Sequence, residues 1–313
     1  MDRSGRSVPC LAGRARRPFG AAGLLDSRTF LKRAWHADRR NRGARSSRGS
    51  RELHALSSPA AEVSLIGLPG IPEVRSGADL SQLLVAALGA AGIAPQASDV
   101  LVVAQKVVSK AEGRLVPLAS VTPGARAQEL AQVTGKDARL IELVLTESTE
   151  VLRARKDVLI VRHRLGFVMA NAGIDRSNLA GGAAGGEVLL LPQDPDASAA
   201  RLRADLAVRL GSAPAVIVSD SFGRPWRRGV VNIALGAAGL PALLDRRGES
   251  DRAGRRLEVT EVALGDALAA AAGLVMGEAA EGVPAVLVRG YRCSGAEKPA
   301  RSLIRPITED LFR

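Results

Sequence analysis

The chain has 313 residues, 46% of them hydrophobic and 24% charged, which is enough apolar material for a sizeable core and too much for an intrinsically disordered chain. Its net charge of +12 is unevenly placed: residues 1–60 hold 14 Lys or Arg against 4 Asp or Glu, and the other 253 residues hold 30 against 28, so the folded part has no polyanion-binding signature. No charge-free apolar run reaches the ~18 residues of a membrane span, and no h-region opens the chain, so the expectation is a soluble, cytoplasmic protein whose length suits two globular lobes.

The Arg-, Ser- and Gly-rich segment 1–60 lacks periodicity and is expected to be a disordered basic leader, with 61–313 as the folded domain. "VSLIGLPGIPEV", from Val63, reads as a short strand followed by a Gly/Pro loop. "DLSQLLVAALGAAG" reads as an amphipathic helix capped by Asp79. "DVLVVAQKVVSKAEGR" is an apolar strand running into polar residues, and helices are expected near 124–134 and 137–152. "DVLIVRHRLGFVMANAGID" alternates like a pair of strands, and the glycines of "GGAAGGEVLLLP" make a turn before another. "DASAARLRADLAVRLG" is spaced as a helix, and "APAVIVSDSFGRPWRRG" as a strand breaking into a polar loop. A small-residue helix over 266–272, a Gly/Glu loop and the strand "VPAVLVRG" close the order. The hairpin-like pairs favour an α+β fold of mixed sheets with packed helices over pure βαβ winding. Cys10 and Cys293 give no zinc spacing or disulfide framework, and His36, His54 and His163 are too scattered for a histidine metal site.

Chemistry gathers at three strand ends. In "AQKVVSKAEGR", Lys106 and Lys110 stand four apart beside Ser109, forming either a phosphate-binding loop or a solvated turn. In "VMANAGIDRSN", Asp175 follows a glycine turn, while Asn171, Ser177 and Asn178 add neutral oxygens. That suits Mg²⁺ or Mn²⁺, but taken alone the stretch reads first as an Asx turn capping a helix. In "VSDSFGRPWRRG", Asp220 and Ser221 precede Arg224, Arg227 and Arg228, either a surface ion-pair cluster or a site for anionic ligands. Two aspartates at corresponding strand ends could cradle cations bound to phosphate.

Taken in order over residues 62–307, "GIPEV", "KVVSKAEGR", "NAGIDRSN", "DSFGRPWRRG", "LEVTEVA" and "VMGEAAEGVPAVLVRG" closely resemble the coenzyme F420-0:L-glutamate ligase family, the F420 gamma-glutamyl ligases. The resemblance implies a two-lobed homodimer that uses GTP to join L-glutamate to the carboxylate of F420-0 through an acyl phosphate, and then adds further gamma-linked glutamates. It implies GTP contacts from Ile71, Pro72, Glu73, Val74, Gln105, Lys110, Asn178 and the loop Met276, Gly277, Glu278, Ala279, Ala280, Glu281, Gly282 and Val283. It implies catalytic roles for Asp175 and Asp220, Mg²⁺ or Mn²⁺ held by Asp175, Asp220, Ser221 and Glu278, and a K⁺ ion as an accessory. Gln105 stands where relatives often carry Ser, Ser221 where they carry Thr, and Glu278 where many carry Gln; each keeps an oxygen. Two alternatives stand beside it: an NTP-dependent ligase glutamylating another carboxylic acid, and a basic nucleic-acid-binding protein acting through the leader.

Overall fold

The computed structural model describes residues 62–176, 186–292 and 294–310. All of them lie in one compact unit, Ala60–Arg313; the leader, Ser177, Asn178 and Cys293 fall outside the described residues. The elements follow in chain order: β1 (Ser64–Gly67), α1 (Leu80–Ala90), β2 (Val100–Ala104), α2 (Gln105–Ala111), β3 (Leu115–Pro117), α3 (Ala125–Thr134), α4 (Ala138–Thr146), β4 (Ser148–Arg155), β5 (Val158–His163), β6 (Val168–Ala170), β7 (Glu187–Leu189), α5 (Pro195–Leu210), β8 (Ala215–Arg224), β9 (Arg227–Ala238), β10 (Leu243–Asp245), β11 (Glu261–Ala263), α6 (Leu264–Met276) and β12 (Ala285–Arg289). The α+β expectation holds.

The central sheet has the order β1-β12-β2-β8-β9, antiparallel except for the parallel pair β2–β8. Alternation along its strands builds two cores. Leu101, Val103, Val216 and Val218 face Leu84, Leu88, Leu202 and Leu206 of α1 and α5, while Val100, Val102, Ile217 and Val286 face Leu264, Leu268, Ala269 and Ala272 of α6. Asp79 caps α1 as expected, accepting from the Gln82 N–H. The smaller sheet β4-β5-β6 packs Leu159 and Val161 against Leu130, Ile141 and Val144 of α3 and α4. β3 pairs with β7, and β10 with β11.

Three expectations need correction. The polar stretch after β2 is the helix α2 rather than a loop, because no breaker intervenes before Gly113, whose φ is +69°. The helix expected over 137–152 stops at Thr146, where Thr146 and Ser148 hydroxyls bond back to the carbonyls of Glu142 and Val144, and residues 148–155 pair with β5. Finally, "SDSFGR" does not leave the sheet: β8 continues through Asp220 and Ser221 to Arg224 and turns at Trp226, φ +58°, into the twelve-residue β9. The apolar text "GVVNIALGAA" supplies that partner strand.

Candidate active site

Beyond the carboxyl end of β2 lies a cleft of about 440 Å³. Its walls come from the loop Ile71–Val74, the helix α2 with Gln105, Lys106 and Lys110, the β8 segment Ser219–Ser221, Asn232 of β9, and the loop from Met276 to Pro284. Thus the expected residues Ile71, Pro72, Glu73, Val74, Gln105, Lys110, Asp220, Ser221 and Met276 through Val283 are brought to one cleft from four separate parts of the chain. Ligands commonly settle outside the carboxyl ends of strands in this way.

Helical geometry explains the α2 wall. Gln105 and Ser109 lie four apart and are joined by a 2.9 Å hydrogen bond from the serine hydroxyl to Gln105 Oε1. Both are buried, as is Lys110, whose ammonium reaches back 2.6 Å to the carboxylate of Glu73. Two residues expected at the nucleotide therefore neutralise each other across the mouth of the cleft. The last wall is held by Gly277, φ +71°, where a Cβ would lie 2.1 Å from the Glu281 side chain. Glu281 folds back to accept from the Ala279 N–H at 2.8 Å, so its side chain shapes the loop.

Asp175 follows a short 3-10 turn, Asn171–Gly173, in which Asn171 (φ 50°), Ala172 (φ 53°) and Gly173 (φ 66°) are all left-handed. Buried Ala172 anchors this unusual run in the core of the smaller sheet. Asp175 is pinned to the chain by reciprocal backbone bonds with Leu189, and its carboxylate lies 2.7 Å from the Lys106 ammonium. Asp175 itself is not among the residues that line the cleft; its partner Lys106 is. Asp220 is half-buried by area, and the protein around its carboxyl removes water and pushes the group up to about 7. The Ser221 N–H and Lys106 oppose that rise, and the charges of Asp175 and Glu278 add to it. Asp175 and Glu278 are therefore each near enough to Asp220 to repel its charge, and Lys106 near enough to attract it.

Such a set of carboxylates plus the Ser221 hydroxyl fits a hard divalent cation, which would relieve their repulsion and favour the ionised form of Asp220. Among the described residues no three His, Cys, Asp or Glu side chains form a ready-made cage. Hard cations such as Mg²⁺ or Mn²⁺ usually take one or two carboxylates and complete their shell with waters and phosphate oxygens, so they need no such cage. Sequence reasoning did not single out Ser219 or Asn232. Asn232 had a usable signal, a lone amide within the apolar run "VVNIALG". Asn178 cannot be placed, since it lies outside the described residues. His163 is buried in the smaller sheet beside Glu147, apart from the cleft lining. No helix among the described residues is long and apolar enough to cross a membrane.

Residues 70–290 match the family model described as F420-0:Gamma-glutamyl ligase. The chain is 46% identical over 245 residues to the coenzyme F420:L-glutamate ligase of Methanothermobacter thermautotrophicus, covering 77% of this chain and 94% of that protein. Against the protein of the same name in Methanopyrus kandleri it is 47% identical over 246 residues, with the same coverage. For the Halobacterium salinarum protein of that name, the identity is 48% over 221 residues, covering 69% of this chain and 83% of the relative. The ordered motifs, the cleft that gathers them and these identities together place the chain in the F420-0:gamma-glutamyl ligase family.

Proposed function

We propose that this protein joins L-glutamate to the carboxylate of coenzyme F420-0 at the expense of GTP, and adds further glutamates through gamma-linkages. The observation that carries this is a cleft walled by Lys106, Lys110, Asp220, Ser221 and the Met276–Val283 loop, with Asp175 paired to Lys106 at 2.7 Å. An arrangement of opposed charges with surplus carboxylate suits a nucleoside triphosphate that arrives with its cation.

The γ-phosphoryl group passes to the acceptor carboxylate oxygen, GDP leaves, and the glutamate amine attacks the activated acyl carbon. The carbon–oxygen bond to phosphate breaks, inorganic phosphate departs and the amine loses a proton. Lys106 and Lys110 bring ammonium groups to phosphate oxygens, and the rigid α2 wall holds them in place as charge redistributes. When bound, Mg²⁺ or Mn²⁺ supplies further neutralisation of the triphosphate through Asp175, Asp220, Ser221 and Glu278. The Ile71–Val74 and Met276–Val283 loops, with Gln105 and Asn178, hold the nucleotide. The same proposal includes K⁺ as an accessory ion, a two-lobed homodimer and a cytoplasmic location.

Incubating the purified chain with F420-0, L-glutamate, GTP and Mn²⁺ and weighing the product tests the reaction. Glutamyl adducts of F420-0 with release of GDP are expected. Parallel incubations with other carboxylic acids identify the acceptor, and absence of any adduct to F420-0 alongside adducts to another acid would overturn the assignment.

A further inference from the structure

Asn232 is the polar side chain of β9 that enters the cleft wall, and it is 7% exposed. Its Nδ2 lies 3.8 Å from Met276 Sδ, which also accepts from the Ser219 hydroxyl at 3.9 Å. A thioether sulfur accepts hydrogen bonds and cannot donate them, so the amide nitrogen faces Met276. That orientation leaves Oδ1 buried with no hydrogen-bond partner among the described residues. Buried amide oxygens without partners are rare and costly, which makes a missing ligand a better account than packing.

Position supplies the second observation. Asn232 stands directly opposite Ser221 in the β8–β9 ladder. Opposed residues of an antiparallel pair share a face, with Cβ atoms about 4.5–5.5 Å apart, so one ion can reach the Ser221 hydroxyl and the Asn232 oxygen together. Helix α6 is also bare where it passes beneath the amide: a Cβ on Gly273 would lie 3.0 Å from Asn232 Cγ and 3.1 Å from Nδ2. One face of α6 seats this amide, through the Met276 sulfur and the bare Gly273 three residues earlier.

We propose that Asn232 Oδ1 is a neutral oxygen ligand for the divalent cation bound at Ser221. The proposal rests on the metal-dependent ligase reading and extends its donor set. It supplies what the carboxylates lack, since hard cations complete their shells with amide and hydroxyl oxygens as well as charged ones. Asn232 thereby sets the position of the cation relative to β8, and Gly273 sets the position of Asn232.

Mn²⁺ titration of the full chain, with free Mn²⁺ followed by electron paramagnetic resonance in the presence and absence of GDP, tests this independently of turnover. Asn232→Ala is expected to weaken Mn²⁺ binding about 10-fold or more, whereas the isosteric Asn232→Asp retains or tightens it. Gly273→Ala, which favours the helix while displacing the amide, is expected to weaken Mn²⁺ binding with the thermal midpoint kept or raised. Should Asn232→Ala fail to fold, the aspartate and Gly273 variants decide the matter. Unchanged affinity in the folded variants, with wild type binding Mn²⁺ and Asp220→Asn losing it, overturns the role of Asn232 alone. No Mn²⁺ binding by wild type under either condition overturns the metal site as well.

Discussion

Asp175 and Asp220 stood out in the sequence as candidates because each carboxylate follows an apolar run that a solvated turn would not need. Their environments were not legible. Lys106 is four residues from Lys110 on one helix, yet it reaches Asp175 while Lys110 reaches Glu73, pairings fixed only by tertiary structure. Asp220→Asn preserves shape and removes the charge, so kcat is expected to fall by about 100-fold or more while the fold survives, as steady-state turnover and thermal unfolding would show. Lys110→Met removes a point charge from the nucleotide wall. GTP affinity is expected to fall about 10-fold, as for one charge-assisted hydrogen bond, with little change in acceptor binding; calorimetric titration with each substrate separates the two.

At the scale of elements, strongly patterned segments were readable and context-dependent ones were not. The α1, α5 and β2 segments carry periodicity, caps and breakers in their own text. The loop reading of α2 failed because Gln, Lys and Ser are equally at home in a helix or a turn until an i, i+4 bond such as Ser109–Gln105 is known. β9 was passed over because its first residues, Arg227 to Gly229, look like loop, and its first half pairs with the polar half of β8. That hairpin is packed tightly against the start of α5. At Gly236, a Cβ would lie 2.0 Å from the Pro195 carbonyl oxygen. Neither backbone can yield cheaply, so Gly236→Ala is expected to cost about 1–3 kcal/mol or more, measured as a lowered urea midpoint with an unchanged m-value.

Across the whole molecule, ion pairs tie distant segments together. Glu147 joins the end of α4 to Arg114 (2.9 Å) and Arg164 (3.1 Å), and His163 Nε2 lies 3.4 Å away without hydrogen-bond geometry. Burial would raise its carboxyl, but the neighbouring imidazole and the two guanidinium groups outweigh that and hold it down at about 2. A depressed folded-state value means stabilisation is present above the ordinary value of 4.5 and is lost as pH falls toward 2. Urea unfolding free energies are therefore expected to decline across that window, and Glu147→Gln is expected to flatten the decline while costing about 1–3 kcal/mol at neutral pH. Deleting residues 1–60 removes +10 of the net charge and none of the cleft, so ligation is expected to persist in that variant. Finally, β12 lies between β1 and β2 although it is the last strand of the sheet to be synthesised. The edge of β2 gains its antiparallel partner only some 180 residues later in the chain, when Val286, Leu287 and Val288 are made. A ribosome that stops before Ala285 releases a fragment with two raw sheet edges, the kind of species that chaperones capture or that aggregates.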